Sequence, residues 1–427
     1  MKRSFFGFSK PRLTYEAIAD TEVEPASIEP AEKIKLLLDT PVEQAAELSL
    51  SVGEHVKIGQ RVQATAEAAD YGMASKSGQV SAITPFLGMM QKKKTAITIA
   101  VDEKAQQEAD DTFRQESQTP SLDNASRFLR GLPGKPDFSP FLDPEKRIKA
   151  IVVLGVDQDL LATTNQYFVK TGIESIKTGI DALRKITGIQ NVMLAVPEHL
   201  VQVAGASGAG VKTVDSEYPA AHPELIVRHI LADEIQSGDI TAQADVAFFS
   251  AEAVSAMGAA YNTGQLPLNK LITLIRKDGN KRMVSAPIGT PLKDILDAFN
   301  ESVQDGDRVI FGGPMTGVAV YSLEEPLQPD TDIILIQDQS QIPEPADIAC
   351  INCGECVRVC PVNIPVNVLI RFLEAEQYEA AAGQAELDAC IECGLCAFVC
   401  EARIPIFQHI KLAKHTLERM KAEESNA

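Results

Sequence analysis

The chain has 427 residues, a length that suggests roughly three domains. It carries 40 Lys and Arg residues against 59 Asp and Glu residues, and the formal net charge of −19 argues against binding to nucleic acid or to an anionic membrane surface. No apolar stretch is long enough to span a bilayer, and the N-terminal residues lack the apolar core of a secretory signal. We therefore expect the chain to work in the cytoplasm.

The first predicted domain follows an N-terminal tail over residues 1–30. Residues 31–100 alternate short apolar runs with glycine turns, a pattern typical of β-strands. The segments VGEHVKIGQRV and SGQVSAI resemble the barrel-sandwich hybrid of biotinyl and lipoyl carriers. The carrier lysine would fall near the segment AEAAD, which contains none, so we predict a structural barrel-sandwich domain and not a swinging arm.

The middle of the chain predicts two further units. Residues 101–145 are charged and rich in proline, which indicates a connector or covering loop. Over residues 146–265 the segments IKAIVVLG, NVMLAVPE and ADVAFFS read as buried strands separated by a helical stretch, which predicts a Rossmann-like α/β domain. Residues 266–340 contain short strands around one helix and predict a β-grasp domain of the SLBB-like kind.

A glycine turn stands at a strand end of this β-grasp domain. The segment GGPMTG supplies Gly312, Gly313 and Gly317. The turn could contact a ligand or could pack tightly on a neighbouring segment, and we favour the packed alternative.

All eight cysteines lie in residues 345–427, within the runs CINCGECVRVCP and CIECGLCAFVCE. The spacing C-x2-C-x2-C-x3-C is that of bacterial two-cluster ferredoxins, in which the fourth cysteine ligates the other cluster. The pattern therefore predicts two 4Fe-4S clusters. The first would be held by Cys350, Cys353, Cys356 and Cys400, and the second by Cys390, Cys393, Cys396 and Cys360.

Several residues around these runs have predicted roles. Gly354 and Gly394 let the backbone approach the sulfur atoms, and Ile351 and Ile391 are expected to shield the clusters from water. The alternative of two zinc sites fits less well, because zinc usually takes paired C-x2-C units with longer gaps. Glu401 replaces the proline that follows the first run, and we read it as a surface residue in preference to one that lowers a cluster potential. The long spacer between the runs is typical of α-helical ferredoxin modules.

The order of these units resembles the RnfC family, which provides the C subunit of the Rnf electron-transport complex. The likeness is strongest in CINCGECVRVCP, CIECGLCAFVC, VGEHVKIGQ, APIGTPL and GGPMTG. It implies a subunit on the cytoplasmic side of a membrane complex that binds FMN and NADH and carries two 4Fe-4S clusters. The fold expected is an α/β multidomain protein with a barrel-sandwich hybrid, a Rossmann-like domain, a β-grasp domain and an α-helical ferredoxin domain.

The departures from this family lie where the flavin should bind. The glycine-rich loop becomes GLPGKPDF, which keeps Gly131 and Gly134 but inserts Pro133, Lys135 and Pro136. Proline has no N–H group to offer a phosphate. The acidic segment after the next strand is shortened to DQDLL, which retains Asp157 and Asp159, and YPAAHPE has Ala220 and Ala221 in place of glycines. Gly131, Gly134, Asp157 and Asp159 are thus the remaining candidates for a degenerate flavin site.

Three functions follow from this reading. The leading one is an iron–sulfur electron-transfer subunit of a membrane-associated Rnf-like complex, peripheral on the cytoplasmic face, without NADH oxidation of its own. Its partners would be other subunits of the complex, and cytochromes or ferredoxins as electron partners; the acidic surface suits docking to basic partners. The alternative is an FMN-dependent NADH dehydrogenase subunit with an altered pocket. A third reading is a regulatory iron–sulfur sensor.

Overall fold

The computed structural model describes residues 11–19, 24–28, 32–41, 49–63, 70–88, 92–102, 108–232, 245–342 and 348–425. The segment AEAAD falls almost entirely outside these residues. In the described part of the chain no helix combines the length and apolar character that a bilayer crossing requires.

The first unit is a small antiparallel β-structure. Its strands are β2 (Lys33–Leu38), β3 (His55–Val56), β4 (Arg61–Val62), β5 (Gly72–Met73), β6 (Gly78–Leu87) and β7 (Lys93–Val101). One sheet has the order β2-β7-β6-β3, and β4 pairs with β5. Alternate residues of β2, namely Ile34, Leu36 and Leu38, point into the core, as the period of a half-buried strand requires.

The N-terminal segment contributes to another unit. Strand β1 (Ala26–Ser27) pairs in parallel with strand β13 (Lys281–Pro287) at the edge of a six-stranded sheet. This part of the expected tail therefore lies against the body of the protein.

Residues 101–145, expected to form a connector or covering loop, contain three short helices. These are α1 (Thr112–Glu116), α2 (Leu122–Phe128) and α3 (Ser139–Leu142). The segment buries Phe113, Leu129, Leu132 and Phe138 in the same apolar core as the following α/β unit. The segment is thus an integral part of that core. Its charged and proline-rich composition gave no indication of this burial in the sequence.

The α/β unit has one parallel sheet in the order β10-β9-β8-β11. The strands are β8 (Ala150–Leu154), β9 (Val192–Pro197), β10 (Gly210–Val214) and β11 (Val246–Ser250). The segments IKAIVVLG, NVMLAVPE and ADVAFFS are confirmed as strands, and the sequence reading missed β10. The helices are α4 (Thr164–Thr171), α5 (Ile173–Thr187), α6 (Val201–Ala204), α7 (Pro223–Leu225) and α8 (Ala251–Thr263).

Helices α5 and α8 pack closely because each presents a glycine to the other. A Cβ atom on Gly179 would stand 2.0 Å from the Val254 carbonyl oxygen, and one on Gly258 would stand 1.9 Å from the Ser175 carbonyl oxygen. No side chain fits at either position, so the backbones touch there.

The third unit is the six-stranded sheet in the order β1-β13-β12-β16-β14-β15. Its other strands are β12 (Asn269–Ile275), β14 (Arg308–Phe311), β15 (Val318–Val320) and β16 (Ile333–Gln337). Helix α9 (Leu292–Ala298) buries Leu292, Ile295 and Leu296 against this sheet.

The C-terminal unit is helical. It comprises α10 (Glu355–Val359), α11 (Val366–Glu374), α12 (Tyr378–Gln384), α13 (Leu395–Phe398) and α14 (Ile406–Ser425). Helix α11 buries Val366, Leu369, Ile370 and Leu373, which are spaced to share one face. The eight cysteines stand on the loops and short helices that surround this core.

Candidate functional site

The first cavity of interest is lined by cysteines from both ends of the helical unit. Cys350, Cys353 and Cys356 from the first run and Cys400 from the second line this cavity. Ile370, Ile404 and Ile406 complete an apolar wall. The structure therefore brings three cysteines of one run together with the fourth cysteine of the other.

The second cavity has the reciprocal composition. Cys390, Cys393 and Cys396 from the second run and Cys360 from the first line this cavity. Its apolar wall includes Ile364, Phe407 and Ile410. The two cavities thus share the eight cysteines in the two sets that the spacing predicts.

The local backbone explains how each run curves around its cavity. Gly354 and Gly394 precede helices α10 and α13 with φ values of 76° and 74°, in the left-handed region that glycine adopts without strain. Asn352 and Glu392 occupy matching places two residues earlier and both have φ of 55°. Each run therefore makes the same tight turn before its short helix, as the repeated sequence predicts.

The four thiol groups of each cavity are candidate ligands of a metal centre. Among the residues that the structure describes, no group of three or more His, Cys, Asp or Glu side chains is arranged to hold one metal ion. Burial raises the pKa of Cys356 and of Cys393 to about 11, and it also raises the pKa of Cys390 and Cys396. A bound metal centre would stabilise the thiolate forms of these cysteines.

The second run is docked onto the body of the protein. The phenolic oxygen of Tyr218, after β10, donates a hydrogen bond of 2.6 Å to the carbonyl oxygen of Cys393. A Cβ atom on Gly394 would lie 2.4 Å from the carbonyl oxygen of Met315 in the GGPMTG turn. Tyr218 and Met315 share a small apolar cluster with Val359 and Leu395.

A cation from the last helix also contacts the second run. Lys414 Nζ donates to the carbonyl oxygen of Cys390 at 2.7 Å and pairs with Glu392 at 2.9 Å. The backbone N–H of Glu392 points at the sulfur of Cys390, 3.5 Å away. The loop that carries three cysteines of the second cavity is thus held by hydrogen bonds at several points.

The first run is far more open. The Cys353 side chain is exposed, and Ile351 is 59% exposed. Ile391, at the matching place in the second run, is half-buried and lines the second cavity. Ile351 also lines the first cavity but is mostly exposed, so its role in shielding that cavity from water stays a prediction.

The glycines predicted for a flavin loop contact protein groups. A Cβ atom on Gly131 would meet Met73 Cγ at 2.3 Å, and one on Gly134 would meet Ser250 Oγ at 2.4 Å. Lys135 forms an ion pair of 2.9 Å with Asp330. The space beside this loop is filled by the barrel unit and by the start of helix α8.

The two acidic candidates are also engaged within the protein. Asp157 Oδ1 accepts a hydrogen bond from the Asn165 backbone N–H at 2.9 Å. Burial raises the pKa of Asp157 to about 6. Asp159 accepts from the backbone N–H of Thr316 at 2.9 Å and from its hydroxyl at 2.7 Å, and a Cβ atom on Gly313 would overlap its carboxyl group. The GGPMTG turn is therefore packed on a neighbouring segment.

Residues 13–18 lie at the carboxyl ends of the parallel strands, a position that the sequence reading missed. The Tyr15 N–H donates to the Ser216 carbonyl at 2.9 Å, and the Glu16 N–H donates to the Leu160 carbonyl at 2.9 Å. Gln166 Nε2 donates to the Glu16 carbonyl at 2.8 Å. In doubly wound α/β folds this edge of the sheet binds nucleotides. In the sequence, this extended segment is indicated only by the alternation of Leu13 and Tyr15 with polar residues.

The same segment contacts the YPAAHPE stretch. Ala221 is fully buried, and its N–H donates to the Tyr15 hydroxyl at 3.2 Å. The rings of Tyr15 and Tyr218 are 5.5 Å apart between centroids. The alanines that replace glycines in this stretch thus lie under the chain's own N-terminal segment.

Comparison with known families matches three segments of the chain. Residues 11–104 match the RnfC barrel sandwich hybrid domain, residues 128–266 match the NqrA second alpha/beta domain, and residues 344–401 match the 4Fe-4S dicluster domain. These matches confirm the barrel-sandwich hybrid, the α/β domain and the iron–sulfur domain in the predicted order.

The similar curated proteins are C subunits of redox complexes. The C subunit of the Na+-translocating ferredoxin:NAD+ oxidoreductase complex of Acetobacterium woodii is 25% identical over 240 residues, 53% of this chain and 54% of the relative. The C subunit of the ion-translocating oxidoreductase complex is 25% identical over 248 residues in Rhodobacter capsulatus, 55% of this chain and 47% of the relative. Its Pseudomonas aeruginosa counterpart is 26% identical over 245 residues, 55% of this chain and 32% of the relative.

This chain spans about half or less of the length of those relatives. Among solved structures, an NAD+-reducing NiFe-hydrogenase in the H2-reduced state has a TM-score of 0.44 and 12% identity, with 71% of this chain and 64% of that chain covered. By its matched domains and its curated relatives, the chain is similar to the C subunits of ion-translocating oxidoreductase complexes, the RnfC family.

Proposed function

We propose that this chain is an iron–sulfur electron-transfer subunit of a membrane-associated Rnf-like complex and that it does not oxidise NADH itself. The observation that carries the proposal is the pair of apolar cavities, each lined by three cysteines of one run and the fourth cysteine of the other. Bound 4Fe-4S clusters would supply reversible one-electron storage.

The protein's own residues have three tasks in this function. Cys350, Cys353, Cys356 and Cys400 hold one cluster, and Cys360, Cys390, Cys393 and Cys396 hold the other. The isoleucines of the cavity walls limit water around the sulfur atoms, which influences the cluster potential. Tyr218 and Lys414 fix the carbonyl groups of Cys393 and Cys390, so that the second loop keeps its shape when its charge changes.

Contacts in and around the α/β unit support the proposal that the chain does not oxidise NADH. Residues 13–18 cross the strand ends, Gly131 and Gly134 abut other side chains, and Asp157 and Asp159 bind protein donors. A flavin phosphate needs free backbone N–H groups. We infer that Gly131, Gly134, Asp157 and Asp159 now serve the fold.

The names of the relatives support the proposal that the chain works within a multi-subunit membrane complex. They are C subunits of ion-translocating complexes, so other subunits of such a complex are the proposed partners. We place the chain peripherally on the cytoplasmic face of the membrane, held there by those subunits. A cytochrome or a ferredoxin is the proposed soluble electron partner.

We also propose the finer fold classes and boundaries. The parallel sheet over residues 146–265 would be Rossmann-like, and the six-stranded sheet over residues 266–340 would be a β-grasp domain of the SLBB-like kind. The α-helical ferredoxin domain would occupy residues 345–427 and the barrel-sandwich domain residues 31–100.

Analysis of anaerobically purified protein tests the proposal. We expect about eight iron and about eight sulfide per chain, no flavin, and no bleaching of the visible absorbance by NADH. Dithionite should reduce the clusters. Bound FMN together with bleaching by NADH would instead establish the alternative, an FMN-dependent NADH dehydrogenase subunit.

A further inference from the structure

The two cysteine runs are near copies in sequence and backbone, but their surroundings differ. In the second run, Cys393 accepts a hydrogen bond from Tyr218 and Gly394 abuts Met315, so that the α/β unit and the six-stranded sheet cover this loop. These two units thus cover the second run as a partner protein would. They provide an apolar surface and one hydrogen-bond donor to a backbone carbonyl of the run.

In the part of the chain that the structure describes, no segment covers the corresponding loop of the first run in this way. Ile351 is 59% exposed, Ile348 is 58% exposed, and the side chain of Cys353 is exposed. A Cβ atom placed on Gly354 would have no atom within 4 Å in the structure as described, whereas one on Gly394 would collide with Met315. We call the surface formed by Ile348 and residues 351–354 the first-run face.

The first-run face has a defined shape before any partner arrives. Asn367 Nδ2, on helix α11, donates to Asn352 Oδ1 at 2.9 Å and ties the turn to the helical core. Ile348 and Ile351 expose aliphatic surface within four positions of each other beside the cysteines, and neighbouring exposed apolar side chains, unlike single ones, favour an interaction site. A preorganised loop also loses little conformational entropy on binding.

We propose that the first-run face docks a one-electron redox protein of the membrane complex, and that this partner covers the first run as the body covers the second. The partner would supply an apolar surface for Ile348 and Ile351 and a donor to the Cys353 carbonyl. This inference rests on the proposed function, which places a cluster directly behind the face. Transfer across the contact moves one electron and makes or breaks no bond.

The charge of the first-run face indicates which kind of partner surface would fit it. Asn352 stands where the second run has Glu392, which pairs with Lys414. The nearby ions Glu355 and Arg358 pair with each other. Among the described residues, those that form the face thus carry no unpaired charge, so the matching partner surface is uncharged and apolar. Binding should depend weakly on salt, although the whole chain carries a net charge of −19.

The test measures binding of the purified holoprotein to membranes from cells that lack this chain but retain the rest of the complex. Sedimentation gives the affinity of the wild type, of Ile351→Glu, and of Leu142→Glu as the matched control. Leu142 is 57% exposed on helix α3, which is not part of the helical unit that carries the cysteine runs. We expect Ile351→Glu to weaken binding by at least about tenfold, since a charge would be buried at the contact centre.

Three further results are expected with the same samples. Leu142→Glu should bind like the wild type, protease treatment of the membranes should abolish binding, and protein-free vesicles of the same lipids should bind none of the variants. Affinity should change less than about threefold between about 0.05 and 0.5 M salt. Wild-type affinity in Ile351→Glu, binding to the bare lipid vesicles, or a steep loss with salt would each overturn the inference.

Iron content and electron paramagnetic resonance spectra of the same samples separate this inference from the proposed function. If the spectra show two reducible clusters in every variant while Ile351→Glu binds normally, the docking proposal fails and the relay proposal stands. If the clusters are missing from the wild type, the relay proposal fails.

Discussion

Tyr218 and Cys393 are joined by a hydrogen bond of 2.6 Å from the phenolic oxygen to the backbone carbonyl, across 175 positions of sequence. Tyr218 lies between strand β10 and helix α7, and Cys393 lies in the second cysteine run. Their contact fastens the cysteine-bearing unit to the α/β unit. The Tyr218 ring also packs on Tyr15, so the N-terminal segment, the strand ends and the second cavity meet at one point.

Replacement of Tyr218 by phenylalanine should loosen this junction. The substitution leaves the Cys393 carbonyl without its donor, and we expect a loss of about 1–2 kcal/mol in the free energy of unfolding. Chemical unfolding followed by cluster absorbance measures the loss. Tyr261→Phe is the matched control, because the buried Tyr261 hydroxyl has no hydrogen-bond partner among the described residues. Equal effects of the two substitutions would contradict a specific role for Tyr218.

The two equivalent glycines should respond differently to alanine. Gly354→Ala adds only left-handed backbone strain, about 1–2 kcal/mol, since the space around it is open in the described structure. Gly394→Ala adds the same strain and a clash with the Met315 carbonyl, so we expect at least about 3 kcal/mol. Thermal and chemical unfolding of both variants provide the comparison. A smaller effect at Gly394 than at Gly354 would contradict the close contact between Gly394 and the Met315 carbonyl.

Serine substitutions test the crossed sets of cysteines. Cys400→Ser and Cys353→Ser should abolish the same electron paramagnetic resonance signal, because both cysteines line the first cavity. Cys360→Ser should abolish the other signal. Each variant should keep about four of about eight iron atoms. If Cys400→Ser removed the signal lost in Cys390→Ser, each run would hold its own cluster and the crossed assignment would be wrong.

Asp157 should make stability depend on pH. Burial raises its pKa from 3.8 to about 6, so between these values the folded protein binds more protons than the unfolded chain. The free energy of unfolding therefore falls as pH rises toward about 6 and then levels off. From about pH 5 to about pH 7.5 the wild type should lose about 1.4 kcal/mol relative to Asp157→Asn. Parallel curves for the two proteins would exclude Asp157 as the source.

Much of the chemistry could be predicted from local patterns. The repeated spacing of eight cysteines indicated two reciprocal ligand sets, and both cavities contain the predicted residues. The buried run IKAIVVLG became strand β8. The short helices within residues 101–145 and their burial were not predicted, because Phe113, Leu132 and Phe138 are scattered among charged residues and their burial depends on the sheet beside them. The greater exposure of Ile351 than of Ile391 was not predicted either, since it depends on which units pack beside each run.

The sequence by itself determined the ligand type, the spacing that curves each run, and the strands with continuous apolar residues, because these depend on neighbours a few positions apart. Tertiary structure alone decided that Tyr218 and Met315 cover the second run while the first stays open. It also decided that residues 13–18 occupy the strand ends of the α/β unit. Those contacts join residues more than a hundred positions apart or in separate units, and their free energy comes from surfaces that meet only after each unit has folded.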